Sequence, residues 1–271
     1  MYVSGAHSCR QLGGRRRNGR PTLNWMETPV WDIHEFDAID STNRWLADRC
    51  AEGAPGAMVA IAALQTAGRG RLGRTWTAPP NSGLLMSVLL RPHIAVDQWH
   101  LLSLHLAIAA LETVRALGAD VSLKWPNDLL ATRVDGEERK LAGILAQGIH
   151  GAHPGVVVGI GLNLVRPPDL PEEIAARGVW LEELVASTPS PRELAAPLLA
   201  RFGEVLTWPV PRVLDVARSN CSTLGRQVRV ELEGSDVHGV ATGIGDDGAL
   251  LVDTGSGVVA SFHAGDVVHV R

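Results

Sequence analysis

The sequence predicts an α+β fold with a mixed, largely antiparallel sheet, followed by a small all-β module. Three observations carry this. Strand-like apolar runs between residues 121 and 164 are joined by brief polar turns, leaving no room for the dozen-residue crossovers that parallel strands need. One long segment, Trp99 to Leu117, repeats its leucines at helical spacing. From Leu224 the texture changes to short valine-rich runs broken by glycine turns.

In chain order, residues 1–24 show no periodicity and carry Arg15-Arg16-Arg17, which reads as a solvated basic arm. Asp40-Ser41-Thr42-Asn43 precedes a helix from Arg44 to Glu52, with Trp45, Leu46 and Cys50 on its apolar side and Gly53 as its stop. Met58–Leu64 and Gly83–Leu90 are continuous apolar runs of strand length. The Trp99–Leu117 helix ends at Gly118. Strands follow at Val121–Lys124, Asp128–Ala131, Leu141–Ile149 and Val156–Leu164. After a Pro-rich stretch at 166–173, Ser190-Pro191-Arg192-Glu193 opens a helix with a capping box and an N-terminal proline. Pro197 should kink or split that helix, and Val213–Arg218 is a last short one. Val228–Leu232, Val237–Ile244, Ala249–Val252, Val258–Phe262 and Val267–Val270 form the C-terminal β-barrel module. The expected units are thus an arm at 1–24, a larger domain at 25–218 and a module at 219–271.

Composition excludes several classes. The 271 residues carry a net charge of −4, against the usual balance of a generic polyanion binder. Cys9, Cys50 and Cys221 are odd in number and far apart, which fits a reducing cytoplasm better than a disulfide framework or a zinc site. No apolar run reaches the ~18 residues of a membrane span, and no signal peptide is visible at Met1–Gly5.

Four segments carry chemistry. Gln65 to Trp76 contains Gly68, Gly70 and Gly73 alternating with Arg69, Arg71 and Arg74. It satisfies G-x-G-x-x-G but opens no helix, because Trp76 to Gly83 holds two prolines and no acidic residue follows at the required distance. A P-loop is excluded by the missing G-K-[ST]. What remains is a glycine-hinged loop whose guanidinium forks match phosphate and carboxylate; a solvated basic turn is the plainer alternative. Lys124-Trp125-Pro126-Asn127-Asp128 is strong turn chemistry. Lys140 begins a strand, with Gly143 three residues on permitting close approach of a ligand. Gly159-Ile160-Gly161-Leu162-Asn163 puts small residues on one strand face, equally readable as core packing. The charged run Arg133–Arg139 reads as a solvated turn.

In this order, from about Trp31 onward, these segments together with Asp40–Asn43 resemble biotin–protein ligases. The resemblance implies a catalytic domain like that of class II aminoacyl-tRNA synthetases and an SH3-like C-terminal barrel. It implies activation of biotin by MgATP to biotinyl-5′-AMP, then transfer to a lysine of a biotin carboxyl carrier protein. Arg69, Lys140 and Asp128 would be catalytic. Ser41, Thr42, Asn43, Gln65, Arg69, Gly70, Arg71, Lys140 and Gly143 would bind biotin, with Ser41 and Thr42 also competing as helix caps. Arg69, Arg71, Arg74, Trp76, Lys124, Asn127 and Asn163 would bind ATP or adenylate. The metal expected is Mg²⁺ on the ATP phosphates. The glycine loop is expected to close over the adenylate. Only about 30 residues precede the resemblance, so repression through an N-terminal DNA-binding domain is not expected, nor are nucleic-acid or membrane partners; a monomer or weak homodimer is. A lipoate ligase of the same superfamily, a non-catalytic adenylate sensor and a nucleic-acid module are the competing readings.

Overall fold

The computed structural model describes residues 28–270 except 134, 233, 234, 256 and 264. The basic arm at 1–24 and Cys9 lie outside the described residues.

A seven-stranded sheet forms the body. Its strands are β1 (Asp32–Phe36), β2 (Met58–Ala62), β3 (Gly83–Leu90), β4 (Val121–Lys124), β5 (Asp128–Thr132), β6 (Glu138–Ile149) and β7 (Gly155–Asn163), in the order β1-β2-β3-β7-β6-β5-β4. Only β1 and β2 run parallel. They do so because helix α1 (Thr42–Ala51) crosses between them; the remaining pairs are antiparallel. Sequence pattern does not reveal β1, because it is an edge strand with Ile33 half exposed and no clean alternation.

The sheet is covered on both faces. Helices α2 (Leu101–Ala116), α4 (Pro191–Leu206) and α5 (Val210–Asn220) bury Leu102, Leu106, Leu198, Phe202 and Leu214 with Val59, Leu84, Val158 and Ile160 of the strands. Full burial of such a side chain stabilises by about 1.5–3 kcal/mol. On the other face α1 packs Leu46 and Cys50 against Met58, Ala60, Leu89 and Val157. The rest of that face is left to the site described below. A single turn, α3 (Glu172–Ala175), occupies the Pro-rich stretch.

The expected capping box is present: the Ser190 hydroxyl accepts from the Glu193 amide and the Glu193 carboxylate accepts from the Ser190 amide. Pro197, however, does not split α4, which runs unbroken through it. Burial of Leu194, Leu198, Leu199 and Phe202 along one side outweighs the single backbone bond that the proline forfeits.

The C-terminal strands β8 (Gln227–Leu232), β9 (Ser235–Ile244), β10 (Leu250–Asp253), β11 (Val259–Phe262) and β12 (Asp266–His269) form a separate antiparallel sheet in the order β11-β10-β9-β8-β12. The fifth strand returns to pair with the first. The two sheets touch: Trp125 donates its indole N–H to the Gly248 carbonyl, and Arg226 pairs with Glu138.

Candidate active site

The site begins where α1 does. Ser41 caps the helix by accepting from the Arg44 amide. Thr42 and Asn43 follow and are buried against the sheet. The Thr42 amide and hydroxyl both donate to Gln65 Oε1, at 2.7 and 3.0 Å. The Thr42 hydroxyl meets Ser87 Oγ at 2.6 Å, and Ser87 donates to Asn43 Oδ1 at 2.6 Å. Four side chains from three distant segments thus form one polar floor in an apolar surround. Ser87 escaped the sequence reading, although its signal was there: a lone hydroxyl in an otherwise apolar strand, GLLMSVLL.

Beside this floor the sheet has no side chains. Gly143 and Gly161 are register partners on β6 and β7, and Gly159 lies two residues along on the same face. A β-carbon at Gly161 would stand 2.4 Å from the Trp76 indole, and one at Gly159 would stand 2.0 Å from Asn43 Oδ1. The indole therefore lies on a patch that only glycine permits. Lys140 Nζ sits 5.7 Å from its ring centroid.

Lys140 reaches this face because of a bulge. Asp128 pairs with Gly143 and Leu129 with Ala142, but Leu130 pairs with Lys140, leaving Leu141 as the extra residue on β6. In a regular strand, positions 140 and 143 point to opposite faces. The extra residue turns Lys140 onto the face of Asp128 and Gly143. There its ammonium lies 2.6 Å from Asp128 Oδ1.

The glycine–arginine loop is a flap folded back on itself. Arg69 pairs with Thr75, Gly70 N–H donates to Arg74 O, and Trp76 N–H donates to Gly68 O. Its tip turns through left-handed backbone at Leu72 (φ 53°) and Gly73 (φ 73°). Arg71 donates to Asn127 Oδ1 at 3.1 Å and to the Gly265 carbonyl at 3.5 Å. Burial pulls its guanidinium pKa below the ordinary value, with Asp266 and Asp128 opposing the shift. Arg74 forms an ion pair with Asp266. Asn127 is a hub: it exchanges backbone and side-chain bonds with Ile144 while accepting from Arg71.

All of the residues predicted to bind biotin line one cleft of about 790 Å³, together with Asp128, Arg74, Trp76 and Asn127. Two predicted residues stand outside it. Asn163 lines an adjoining cavity of about 910 Å³ that shares Thr75, Trp76 and Lys140 with the cleft. Its amide donates to the carbonyls of Lys140 and Val179. Lys124 is the register partner of Asp128 and lies behind the turn rather than in the cleft. Burial lowers its pKa, while the Asp128 carboxylate opposes that.

Asp266 also lines the cleft. Nothing local in the sequence marks it, since it comes from the C-terminal sheet. Nor is Arg133–Arg139 merely a solvated turn. Arg133 pairs with Glu183, and Glu138 pairs with Arg226 and lies 4.0 Å from His269. Among the described residues no three His, Cys, Asp or Glu side chains form a metal cluster. The cleft carboxylates Asp128 and Asp266 are each held by a cation.

Residues 35–163 match the biotin/lipoate A/B protein ligase family, and residues 223–270 match the biotin protein ligase C terminal domain. The chain is 38% identical over 250 residues to a biotin--[acetyl-CoA-carboxylase] ligase of Mycobacterium tuberculosis, covering 88% of this chain and 90% of that one. It is 34% identical over 228 residues to the protein of the same name from Paracoccus denitrificans, covering 79% and 90%. Among solved structures it resembles biotin protein ligase from Aquifex aeolicus in complex with biotin and ATP, with TM-score 0.73, 25% identity, and 89% and 99% coverage.

Proposed function

The chain belongs to the biotin protein ligase family, and from that premise we propose how its own residues carry out the two steps. It joins biotin to a carrier lysine at the expense of ATP, through biotinyl-5′-AMP. The observation that carries the assignment of roles is the position of Lys140, at the wall shared by two contiguous cavities.

Thr42, Asn43, Gln65 and Ser87 offer hydroxyl and amide groups to the ureido head of biotin, with Ser41 ordering the helix start. Gly161 and Gly159 let Trp76 and Asn43 pack close to the sheet, and Gly143, beneath Lys140 Nζ, leaves room for the ligand. Trp76 and Asn163 flank the second cavity and face the adenine. The biotin carboxylate then meets the α-phosphate beside Lys140.

Two unit negative charges ~4 Å apart repel by about 4 kcal/mol at an effective dielectric of ~20. Lys140, Arg69 and Arg71 offset that repulsion and the charge that develops as the acyl–phosphate bond forms and pyrophosphate leaves. Gly70 lets the flap backbone approach, and Arg74 reaches the outer phosphates. Mg²⁺ would enter with the nucleotide as part of the substrate and would neutralise phosphate charge.

In the second step the carrier lysine, with an ordinary pKa near ~10.4, must lose a proton. Asp128 receives the incoming amine in exchange for Lys140 and takes that proton. The acyl–oxygen bond breaks and AMP departs. Lys124 stands beside Asp128 as its register partner across the turn.

The acceptor is the biotin carrier domain of an acyl-CoA carboxylase, by analogy with the relatives' names. We read residues 28–218 as a catalytic domain of the class II synthetase type and 219–270 as an SH3-like barrel, supported by the return of β12 to β8. No helix among the described residues is long and apolar enough to cross a membrane, and we assign the enzyme to the cytoplasm.

Biotin-dependent ATP–pyrophosphate exchange tests the reading. Lys140→Ala should abolish exchange. Asp128→Asn should retain it while slowing single-turnover transfer to carrier by 10²-fold or more. Exchange with lipoic acid but not biotin would overturn the substrate assignment.

A further inference from the structure

The C-terminal sheet reaches the reaction centre through one carboxylate, and its partner is a flap arginine. Arg74 is 65% exposed and Asp266 only 19%, so an exposed guanidinium reaches over to a largely buried carboxylate. The neighbouring residue reinforces the contact. Gly265 offers its carbonyl to Arg71. It does so from left-handed backbone (φ 137°), where a β-carbon would crowd Val230 at 2.9 Å. The flap thus meets the C-terminal sheet at two adjacent residues.

We propose that Asp266 is a positioning residue that competes with the outer phosphates of the nucleotide for Arg74. This rests on the reading above, in which the cleft forms biotinyl-5′-AMP. While ATP is bound, its β- and γ-phosphates draw Arg74 from Asp266. When pyrophosphate leaves, only the adenylate's single esterified phosphate remains, held by Lys140, Arg69 and Arg71. Arg74 returns to Asp266, and the flap is pinned across the C-terminal sheet with the adenylate beneath it. One carboxylate therefore does two things. It speeds release of pyrophosphate by taking over the cation that held it, and it retards escape of the activated acid. The reactive intermediate is kept for the carrier lysine and away from water.

The two functions respond differently to mutation, and this separates the proposal from a merely structural role. Asp266→Asn leaves Arg74 without its rival, so pyrophosphate should inhibit at about threefold to tenfold lower concentration. The same variant loses the latch, so preformed biotinyl-5′-AMP should dissociate about threefold to fivefold faster, in keeping with an ion pair that is partly exposed. Arg74→Gln should also release adenylate faster, yet it should weaken pyrophosphate inhibition. The two variants therefore move release the same way and inhibition in opposite ways. Asp266→Glu should restore both values towards the parent.

The experiment is rapid mixing of the full-length enzyme loaded with radiolabelled biotinyl-5′-AMP. Release into excess unlabelled adenylate is followed, alongside pyrophosphate inhibition of adenylate synthesis and a thermal melt. A general disturbance of the C-terminal sheet in Asp266→Asn would lower the melting temperature and weaken pyrophosphate binding, and that result overturns the proposal. Release and inhibition both within a factor of 1.5 of the parent, by about the resolution of the assay, overturn it too. Failure of the parent to form any adenylate would instead refute the assigned reaction.

Discussion

Adding one methyl group at Gly159 tests the architecture of the polar floor most directly. In Gly159→Ala the new β-carbon would lie 2.0 Å from Asn43 Oδ1 and 2.9 Å from Ser87 Oγ. Ordinary contact begins near 3.4 Å, so the Asn43 amide must retreat by more than an ångström. Its bond from Ser87 at 2.6 Å and its weaker reach to the Leu145 carbonyl at 3.4 Å cannot both survive that movement. Overpacking costs about 1–3 kcal/mol, and one lost hydrogen bond adds about 1 kcal/mol. The strand itself is held by β3 and β6 on either side. The side chain that can yield is Asn43, at the cleft, so the loss falls mainly on ligand binding. At ~1.4 kcal/mol per tenfold, biotin should bind about 10- to 10³-fold more weakly. Nucleotide affinity should change little, because Trp76 and Asn163 line the adjoining cavity, whose wall includes neither Asn43 nor Gly159. Isothermal titration with biotin, and separately with a non-hydrolysable ATP analogue, measures both. Biotin affinity within twofold of the parent in a folded Gly159→Ala protein would refute the reasoning, since Asn43 would then have no part in the floor.

Two further predictions follow from buried groups and from register. His105 is wholly buried in α2, and His269 lies partly buried between the two sheets; burial holds each pKa down at about 4, with Lys124 and Arg226 adding to the effect at His269. Both are neutral in the fold but protonate near ~6.5 when unfolded, so the stability they contribute is intact above that pH and is lost as pH falls from about 6.5 to 4. His105→Leu should reduce the slope of unfolding free energy across that window by about 1.4 kcal/mol per pH unit, measured by urea denaturation; an unchanged slope would mean that His105 is not buried neutral. Deleting Leu141 should erase the bulge yet leave Lys140 opposite Leu130 and two positions from Gly143, on the same face, so biotin-dependent pyrophosphate exchange should survive to within about tenfold of the parent. Loss of exchange by more than about 10²-fold in a folded deletion variant would show that register alone does not aim Lys140.

Most of the fold was legible in the sequence because its signals are local. β3 and β4 begin and end where apolar runs do. The capping box at Ser190 and the stop at Gly53 (φ 89°) each depend on a few neighbouring residues. β1 was not legible, because an exposed edge strand needs no alternation and takes its pairing from β2. Pro197 reads locally as a kink or a split, yet α4 runs unsplit through it, because a local rule omits the burial along the whole helix. The arginines, Lys140 and Asp128 are legible as types in a spaced pattern, and Thr42, Asn43 and Gln65 through the resemblance that pattern carries, whereas Ser87 is not.

Their geometry was not. The sequence by itself determined which groups are available: three guanidinium forks on glycine hinges, an ammonium, a carboxylate behind a tight turn, and glycines on a strand. Only the tertiary structure decided that Lys140 shares a face with Asp128, since that depends on one unpaired residue in a register. It alone brought Ser87 under Asn43 and laid Trp76 over Gly161. It alone delivered Asp266 from the other sheet to Arg74. The reason is physical: residue type and spacing act along the chain, whereas charge, packing and hydrogen bonding act through space, where residues 192 positions apart can be nearest neighbours.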